Sequence, residues 1–324
     1  MKNVMVLGGT GFVGTQVCKQ LVQNGWTVTV PTRTPERDWP VRGLPQVHVV
    51  DLDVHDATAL TKAMAGHTAV VNLVAILHGN AAAFDKVHVA LPSRILQACH
   101  DNRVRELVHI SALGANAQRP QDCPSEYLRS KSRGEAVLLA SSEEPLSPRV
   151  TVLRPSVIFG AHDKFLNLFA RLQRFFPVMP LAGAGARFQP VWVEDVASAV
   201  VRILAQDVPD HPAVIEACGP QVFTLRELVQ LAARLGGVRG GLGRPVIALP
   251  DWIGRIQAFM MELAPGEPLM SRDNLDSMKV DNVASATVAG LEVLGITPSR
   301  LEPIAAHYLA PGVQRPGIAE QRKL

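Results

Sequence analysis

The first fourteen residues constrain this chain more than any other segment. Val4, Met5, Val6 and Leu7 form a short apolar run, and Gly8-Gly9-Thr10-Gly11-Phe12-Val13-Gly14 follows directly. A buried strand running into a glycine-rich turn and then a helix is the usual cradle for a dinucleotide pyrophosphate. Gly8 permits the tight turn, Gly11 lets the backbone approach the phosphates, and Gly14 lets the new helix pack against the strand. The helix N-terminus supplies unpaired N–H groups and a partial positive charge, with Thr10, Phe12 and Val13 in the same turn. Val13, Val17 and Leu21 continue it as a helical pattern. A turn that binds nothing would leave three poor helix formers at this spacing without a reason.

The next elements alternate. Strands are expected at 26–30, 47–50, 69–73, 107–110 and 150–153, with helices at 14–24, 57–65, 87–101 and 125–140. Continuously apolar strands separated by helices imply an α/β fold, a doubly wound parallel sheet of the NAD(P)-binding Rossmann type. The expected division is a dinucleotide-binding domain over 1–155, with 191–205 packing back on it. A smaller C-terminal lobe for substrate or partner follows over 156–311, and then a loose tail over 312–324.

Ligands in such sheets lie beyond the carboxyl ends of the strands. After the second strand no acidic residue is present to accept from an adenosine ribose, and Arg33 stands near that place. A guanidinium matches a 2′-phosphate in charge and geometry, so NADP(H) is favoured, with NAD(H) the alternative. The bland reading is a solvated arginine, since Arg37 and Arg42 are close by. After the third strand, Asp51 and Leu52 could meet the adenine, or Asp51 could simply cap the next turn. After the fourth, Leu73, Val74 and Ala75 either line the cofactor's path or form a buried strand end.

Tyr127 and Lys131 are four apart in a helical stretch and project from one face. A lysine ammonium beside a phenol is expected to lower its pKa, making the tyrosine a general acid or base toward a hydroxyl or carbonyl. The same lysine can bond a nicotinamide ribose. The bland alternative is an exposed helical pair, but the chain has only two tyrosines.

These features together resemble the short-chain dehydrogenase/reductase superfamily. They are Gly8-x-x-Gly11-x-x-Gly14, Asp51, Tyr127-x-x-x-Lys131, Leu153-Arg154-Pro155-Ser156-Val157-Ile158-Phe159-Gly160, and Pro190 to Ala197. Tyr127 to Glu135, then Phe159-Gly160 with Asp163-Lys164-Phe165-Leu166-Asn167, is similar to the accessory NAD(P)H-binding subunit of respiratory complex I and its bacterial relatives. The resemblance implies Tyr127, Lys131 and Ser111 as the catalytic set and Pro155 beside the cofactor. It also implies a tightly bound cofactor serving structure or sensing rather than robust turnover, and a respiratory or membrane-peripheral protein partner. One departure stands out: the usual catalytic hydroxyl aligns nearer position 112, which is alanine. If Ser111 cannot replace it, binding survives but an oxyanion donor is lost, worth on the order of a hundredfold in rate. Otherwise Ser111 is a strand-end hydroxyl bonded to nearby backbone.

Beyond residue 155, Phe165, Leu168, Phe169, Leu172, Phe175 and Phe176 recur at helical spacing and read as core. Helices are expected at 193–204 and 225–235, the latter opened by a Thr224/Glu227 capping box. The stretch 181–186 reads as a loop, and 236–245 as another. Trp252, Ile253, Ile256, Phe259, Met260 and Leu263 form an amphipathic helix. With Arg255 as its one basic residue, burial is favoured over a membrane-surface role.

Hydrophobic residues make up 47% of the 324 and charged residues 19%, enough for a sizeable core. A net charge of +3 argues against nucleic acid as the partner. Histidines lack metal-ligand spacing, and four scattered cysteines suggest a reducing compartment. With no signal peptide and no bilayer-spanning segment, the chain is expected in the cytoplasm, or peripheral at the inner membrane face. Two classes stay open: a nucleotide-binding accessory protein, or a working NAD(P)-dependent reductase or epimerase.

Overall fold

The computed structural model describes residues 2–37, 39–141, 147–205, 210–263, 266 and 268–311; the expected tail over 312–324 lies outside them. Strands are β1 (Asn3–Leu7), β2 (Thr27–Thr32), β3 (Val47–Asp51), β4 (Ala69–Asn72), β5 (Glu106–Ile110), β6 (Arg149–Pro155), β7 (Ile158–Phe159), β8 (Met179–Leu181), β9 (Arg187–Phe188), β10 (Val191–Trp192), β11 (Val214–Ala217), β12 (Phe223–Thr224) and β13 (Val246–Ala248). Helices are α1 (Phe12–Gln23), α2 (Ala57–Met64), α3 (Ala81–Asp85), α4 (Leu91–Asp101), α5 (Glu126–Ala140), α6 (Leu166–Phe175), α7 (Val193–Ala205), α8 (Leu225–Leu235), α9 (Asp251–Glu262), α10 (Arg272–Ser277) and α11 (Leu301–Leu309).

Seven strands form one parallel sheet in the order β11-β6-β5-β4-β1-β2-β3. This is the doubly wound Rossmann arrangement expected from the alternation. The order reverses at β1, which pairs with β2 on one side and β4 on the other. That reversal opens a crevice beyond the carboxyl ends of β1 and β4. The strands are continuously apolar because helices cover both faces. Met5, Leu7, Val70, Leu107, Val150 and Val152 are buried against Leu60, Leu91, Ile95 and Leu138 of the helices.

The chain divides into two compact units. The first comprises residues 1–155, 194–217 and 285–297; the second 156–193, 218–284 and 298–324. The sequence reading brought back 191–205, of which 191–193 fall in the second unit. The first unit also takes in β11, which pairs with β6, and residues 285–297. The latter segment is tied in by Ser285 N donating to Glu216 Oε2 (2.6 Å) and by Arg202 donating to Leu294 O (3.1 Å). Segments as short as these show no periodicity. Within the same unit α7 is fixed on α1 by Ser198, whose Oγ donates to Gln20 Oε1 at 3.0 Å.

In the second unit α6, α8 and α11 share a core around Phe159, Leu228 and Leu309. The capping box forms as expected, Thr224 Oγ1 accepting from Glu227 N while Thr224 N donates to Glu227 Oε2. The tyrosine outside α5, Tyr308, is buried and donates to Asp163 Oδ2 at 2.9 Å. Two sequence expectations fail here. Phe165 and Phe169 pack in the core, but Phe175 and Phe176, at the C-terminal end of α6, are exposed. And α9 buries Gly254 and Ala258 while its large apolar residues face outward.

Candidate functional site

The glycine loop is built for close approach. Gly8 has φ +81°, and a Cβ there would lie 3.1 Å from the Leu73 carbonyl carbon. At Gly14 a Cβ would sit 2.2 Å from Gly8 O and 2.6 Å from Gly9 Cα, so β1, the turn and α1 lock together only with glycine. Gly11 is the N-cap of α1 and carries no side chain to cap it, and the first turn holds no acidic residue. The first-turn N–H groups of Phe12, Val13 and Gly14 therefore have no intrahelical acceptor, which suits an anion placed at this helix end. Thr10 lies in the same turn. A cradle that added Cβ atoms would fill, facing an uncapped helix, fits a dinucleotide pyrophosphate.

At the adenosine end, Thr32 and Asp51 are register partners at the carboxyl ends of β2 and β3, and Leu52 N donates to Thr32 O. Arg33 follows immediately and is exposed; among the described residues no hydrogen bond or ion pair holds its guanidinium. Its neighbours are engaged elsewhere: Arg37 stacks on Trp39 at 4.2 Å, and Arg42 donates to Pro35 O at 2.8 Å. Asp51 does not cap α2. That role falls to Asp56, which accepts from Ala59 N at 3.0 Å. Asp51 is left exposed, with Leu52 half-buried beside it. Leu73 continues the ladder by donating to Leu7 O, Val74 N donates to Asn72 Oδ1, and Ala75 is exposed.

The catalytic candidates lie on β5 and α5. Ser125 caps α5, accepting from Leu128 N at 3.2 Å. Lys131 is fully buried and donates its ammonium to Ile110 O at 2.7 Å. Burial lowers its pKa to about 8, with Glu135 one turn on opposing the shift. Tyr127 differs from expectation. Its phenol is pushed up to about 12 by burial, and the Lys131 charge does not offset this. A shared helix face does not guarantee a lowered phenol pKa when desolvation outweighs the cation. The Tyr127 ring packs on Ala112, Cys123 and Leu128. Ala112, where the usual hydroxyl was expected, thus belongs to the apolar cluster against which Tyr127 packs. Ser111 is buried and its N–H donates to Leu153 O at 2.7 Å, but its Oγ has no partner, so it is not a hydroxyl spent on backbone. Pro155 closes β6, its carbonyl accepting from Leu113 N.

Sequence reasoning missed His88. Residues 86–90 form a turn of π-helix between α3 and α4, a feature often found at functional sites. His88 is buried there. Its Nε2 accepts from Ile76 N at 3.2 Å, which leaves the proton on Nδ1 for Ser130 Oγ at 2.8 Å. Ser130 passes a hydrogen bond on to Tyr127 O, and the imidazole meets the Tyr127 ring edge-on at 5.6 Å. Burial, with the Lys131 and Arg133 charges, pushes the His88 pKa down to about 3. A Cβ at Gly134 would lie 1.9 Å from His88 O, so α5 meets this turn only with glycine at that position. Below Lys131, Glu135 is fully buried and bound by Arg154 through both carboxylate oxygens. The conspicuous Asp163 is structural: it accepts from Gly160, Phe165 and Asn167 N–H groups and from Tyr308.

A crossover point with a glycine cradle, and a Tyr-x-x-x-Lys helix beyond it, define a dinucleotide-binding α/β protein of the extended short-chain dehydrogenase/reductase class. The profile of the NAD dependent epimerase/dehydratase family matches residues 4–218, and the chain belongs to that family. It is 31% identical over 311 residues to mitochondrial NADH dehydrogenase (ubiquinone) 1 alpha subcomplex subunit 9 of Mus musculus, covering 92% of this chain and 77% of that one. Among solved structures it is similar to UDP-N-acetylglucosamine 4-epimerase from Bacillus cereus, at 17% identity and a TM-score of 0.68 over 95% of this chain and 98% of that one. It is also similar to MoeE5 in complex with UDP-glucose and NAD, at 19% identity and a TM-score of 0.69 over 95% and 97%. Among the described residues no helix is long and apolar enough to cross a membrane, and no cluster of His, Cys, Asp or Glu could hold a metal ion.

Proposed function

We propose that this chain is a nucleotide-binding accessory protein that holds NADP(H) tightly and turns it over weakly or not at all. The observation that carries the reading is the glycine cradle, where a Cβ at Gly14 would meet main-chain atoms at 2.2 and 2.6 Å beside an α1 N-terminus that no side chain caps. Burial pushes the Tyr127 phenol up rather than down, which does not favour a general acid–base role. The cradle of Gly8, Gly11 and Gly14 owes nothing to that phenol, so binding and turnover separate. Thr10, Phe12 and Val13 would meet the diphosphate, Arg33 the 2′-phosphate, and Asp51 with Leu52 the adenine. Leu73, Val74, Ala75 and Pro155 would line the path toward the nicotinamide ribose, which Lys131 would bond. The cofactor, when bound, supplies the capacity for hydride transfer. The relatives named as subunits of NADH dehydrogenase support a partner in a respiratory assembly, and a place at the inner face of the membrane.

The test is to denature the purified protein and identify what it releases. Stoichiometric NADP(H) is expected, together with a rise in melting temperature when NADP(H) is added to stripped protein. Absence of nucleotide and of any shift would overturn the reading.

One observation favours a second reading, a working reductase or epimerase on a small hydroxyl or carbonyl substrate. Ser111 Oγ is buried and unpartnered immediately after the strand whose last carbonyl receives the Lys131 ammonium. There Ser111 would orient substrate and Tyr127 would move the proton. Tyr127→Phe separates the two: the first predicts unchanged nucleotide retention and unchanged respiration, the second the abolition of a specific turnover.

A further inference from the structure

Residues 73–76 leave β4 toward α3 and belong to no helix or strand. Three main-chain bonds fix them. Leu73 N donates to Leu7 O at 2.9 Å, Val74 N to Asn72 Oδ1 at 3.1 Å, and Ile76 N to His88 Nε2 at 3.2 Å. The first two acceptors belong to β1 and β4, the strands beside the crevice. The third is a side chain from twelve positions on, in the π-helical turn.

The imidazole is held in plane as well as in place. It stacks on Phe84 with centroids 5.5 Å apart and 27° between the rings, and it meets Tyr127 edge-on at 5.6 Å. Ile76 N can only donate, so Nε2 accepts and the neutral ring carries its proton on Nδ1. That proton goes to Ser130 Oγ at 2.8 Å, and the Ser130 hydroxyl donates to Tyr127 O at 2.8 Å. All three bonds run in one direction, and they need a neutral imidazole. Burial and the Lys131 charge keep it neutral, with a pKa of about 3. Packing alone would be served by an apolar side chain at lower desolvation cost. What the imidazole adds is a fixed register between residues 73–76 and the turn of α5 that carries Tyr127 and Lys131. Both of these lie toward β4 and β5, whereas Arg33, Asp51 and Leu52 follow β2 and β3, on the other side of β1.

We propose that His88 is a positioning residue that sets residues 73–76 against the Tyr127–Lys131 turn, and so governs affinity for the nicotinamide half of the dinucleotide and not for the adenosine half. The proposal rests on the nucleotide reading and adds which half of the ligand this contact serves. The full chain, stripped of nucleotide, is titrated calorimetrically with NADPH and with adenosine 2′,5′-bisphosphate, which lacks the nicotinamide half. His88→Leu removes both imidazole bonds. It should weaken NADPH roughly tenfold or more and leave the bisphosphate within about twofold. A general loss of structure would weaken both. His88→Gln, whose amide oxygen can accept from Ile76 N, should recover most of the lost affinity. Where His88→Leu does not fold, Ser130→Ala breaks the same chain at its other end and should show the same selectivity. Equal weakening of the two ligands, weakening of neither, or no recovery in His88→Gln would overturn the proposal and leave the nucleotide reading standing. A parent chain that binds neither ligand would overturn both.

Discussion

The Lys131 ammonium donates to the main-chain carbonyl of Ile110 at 2.7 Å, tying the middle of α5 to the last residue of β5. The buried cation is neutral-poised, with a pKa of about 8. Replacing it by methionine removes that bond from Ile110 O, which costs about 1 to 3 kcal/mol, and also removes the penalty of a buried charge, which offsets it. Lys131→Met should therefore fold with a melting temperature close to the parent's while nucleotide affinity falls at least about tenfold. Affinity of the parent should also weaken as pH rises through about 8, where the ammonium loses its proton. The variant should show no such step. Calorimetric titration across that range checks both outcomes, and a step surviving in the variant would show that another group is responsible.

Gly14 and Gly43 form a matched pair. A Cβ at Gly14 meets main-chain atoms at 2.2 and 2.6 Å, and a Cβ at Gly43 meets nothing within 4 Å. Backbone cannot step aside as a side-chain tip can, so Gly14→Ala should lose roughly 2 to 3 kcal/mol or more. It should also lose the bound nucleotide. Gly43→Ala should be neutral or stabilise by about 0.4 to 1 kcal/mol. Denaturant midpoints on the two variants decide it; equal effects would mean that the turn is looser than the close approach requires.

What the sequence made legible was whatever rests on local pattern. Continuous apolar runs gave the sheet, Thr224 with Glu227 gave a cap, and the spacing of Tyr127 and Lys131 gave the shared helix face. What stayed hidden depends on distant parts of the chain. His88 looks like one more residue of a helical run, because its partners Ile76 and Ser130 lie 12 and 42 positions away. The raised Tyr127 phenol follows from burial that i, i+4 spacing cannot express. The periodicity of α9 revealed two faces but not which one turns inward; Gly254 and Ala258 carry that information through a close fit to Ala182. Strands of two or three residues, such as β7 and β12, are too short to show a period.

His88 should make the fold acid-sensitive. Its folded pKa, about 3, lies below the ordinary 6.5, so the unfolded chain takes up a proton first as pH falls. Stability from this residue is complete above 6.5 and drains away toward 3, with ~2 kcal/mol gone by about pH 5. His109, wholly buried and bonded to Asn72 at 3.0 Å, is shifted in the same direction and adds to the loss. Unfolding free energies at neutral pH and near pH 5 should differ less in His88→Gln than in the parent. An identical pH slope would mean that His88 is not held neutral.

Arg33 carries the choice between the two dinucleotides. It follows the end of β2 beside Asp51, stands in solvent, and is held by none of the described residues, while Arg37 and Arg42 are committed to Trp39 and Pro35. A guanidinium free to turn toward a 2′-phosphate forms charge-assisted bonds worth about 1.5 to 3 kcal/mol, or roughly ten- to hundredfold in affinity. Arg33→Ala should lower NADP(H) affinity by that factor and leave NAD(H) affinity within about twofold. Both constants come from fluorescence titration of stripped protein. A parallel loss for the two nucleotides would place Arg33 on the common diphosphate or outside the site, and a gain for NAD(H) alone would point to steric exclusion rather than phosphate recognition.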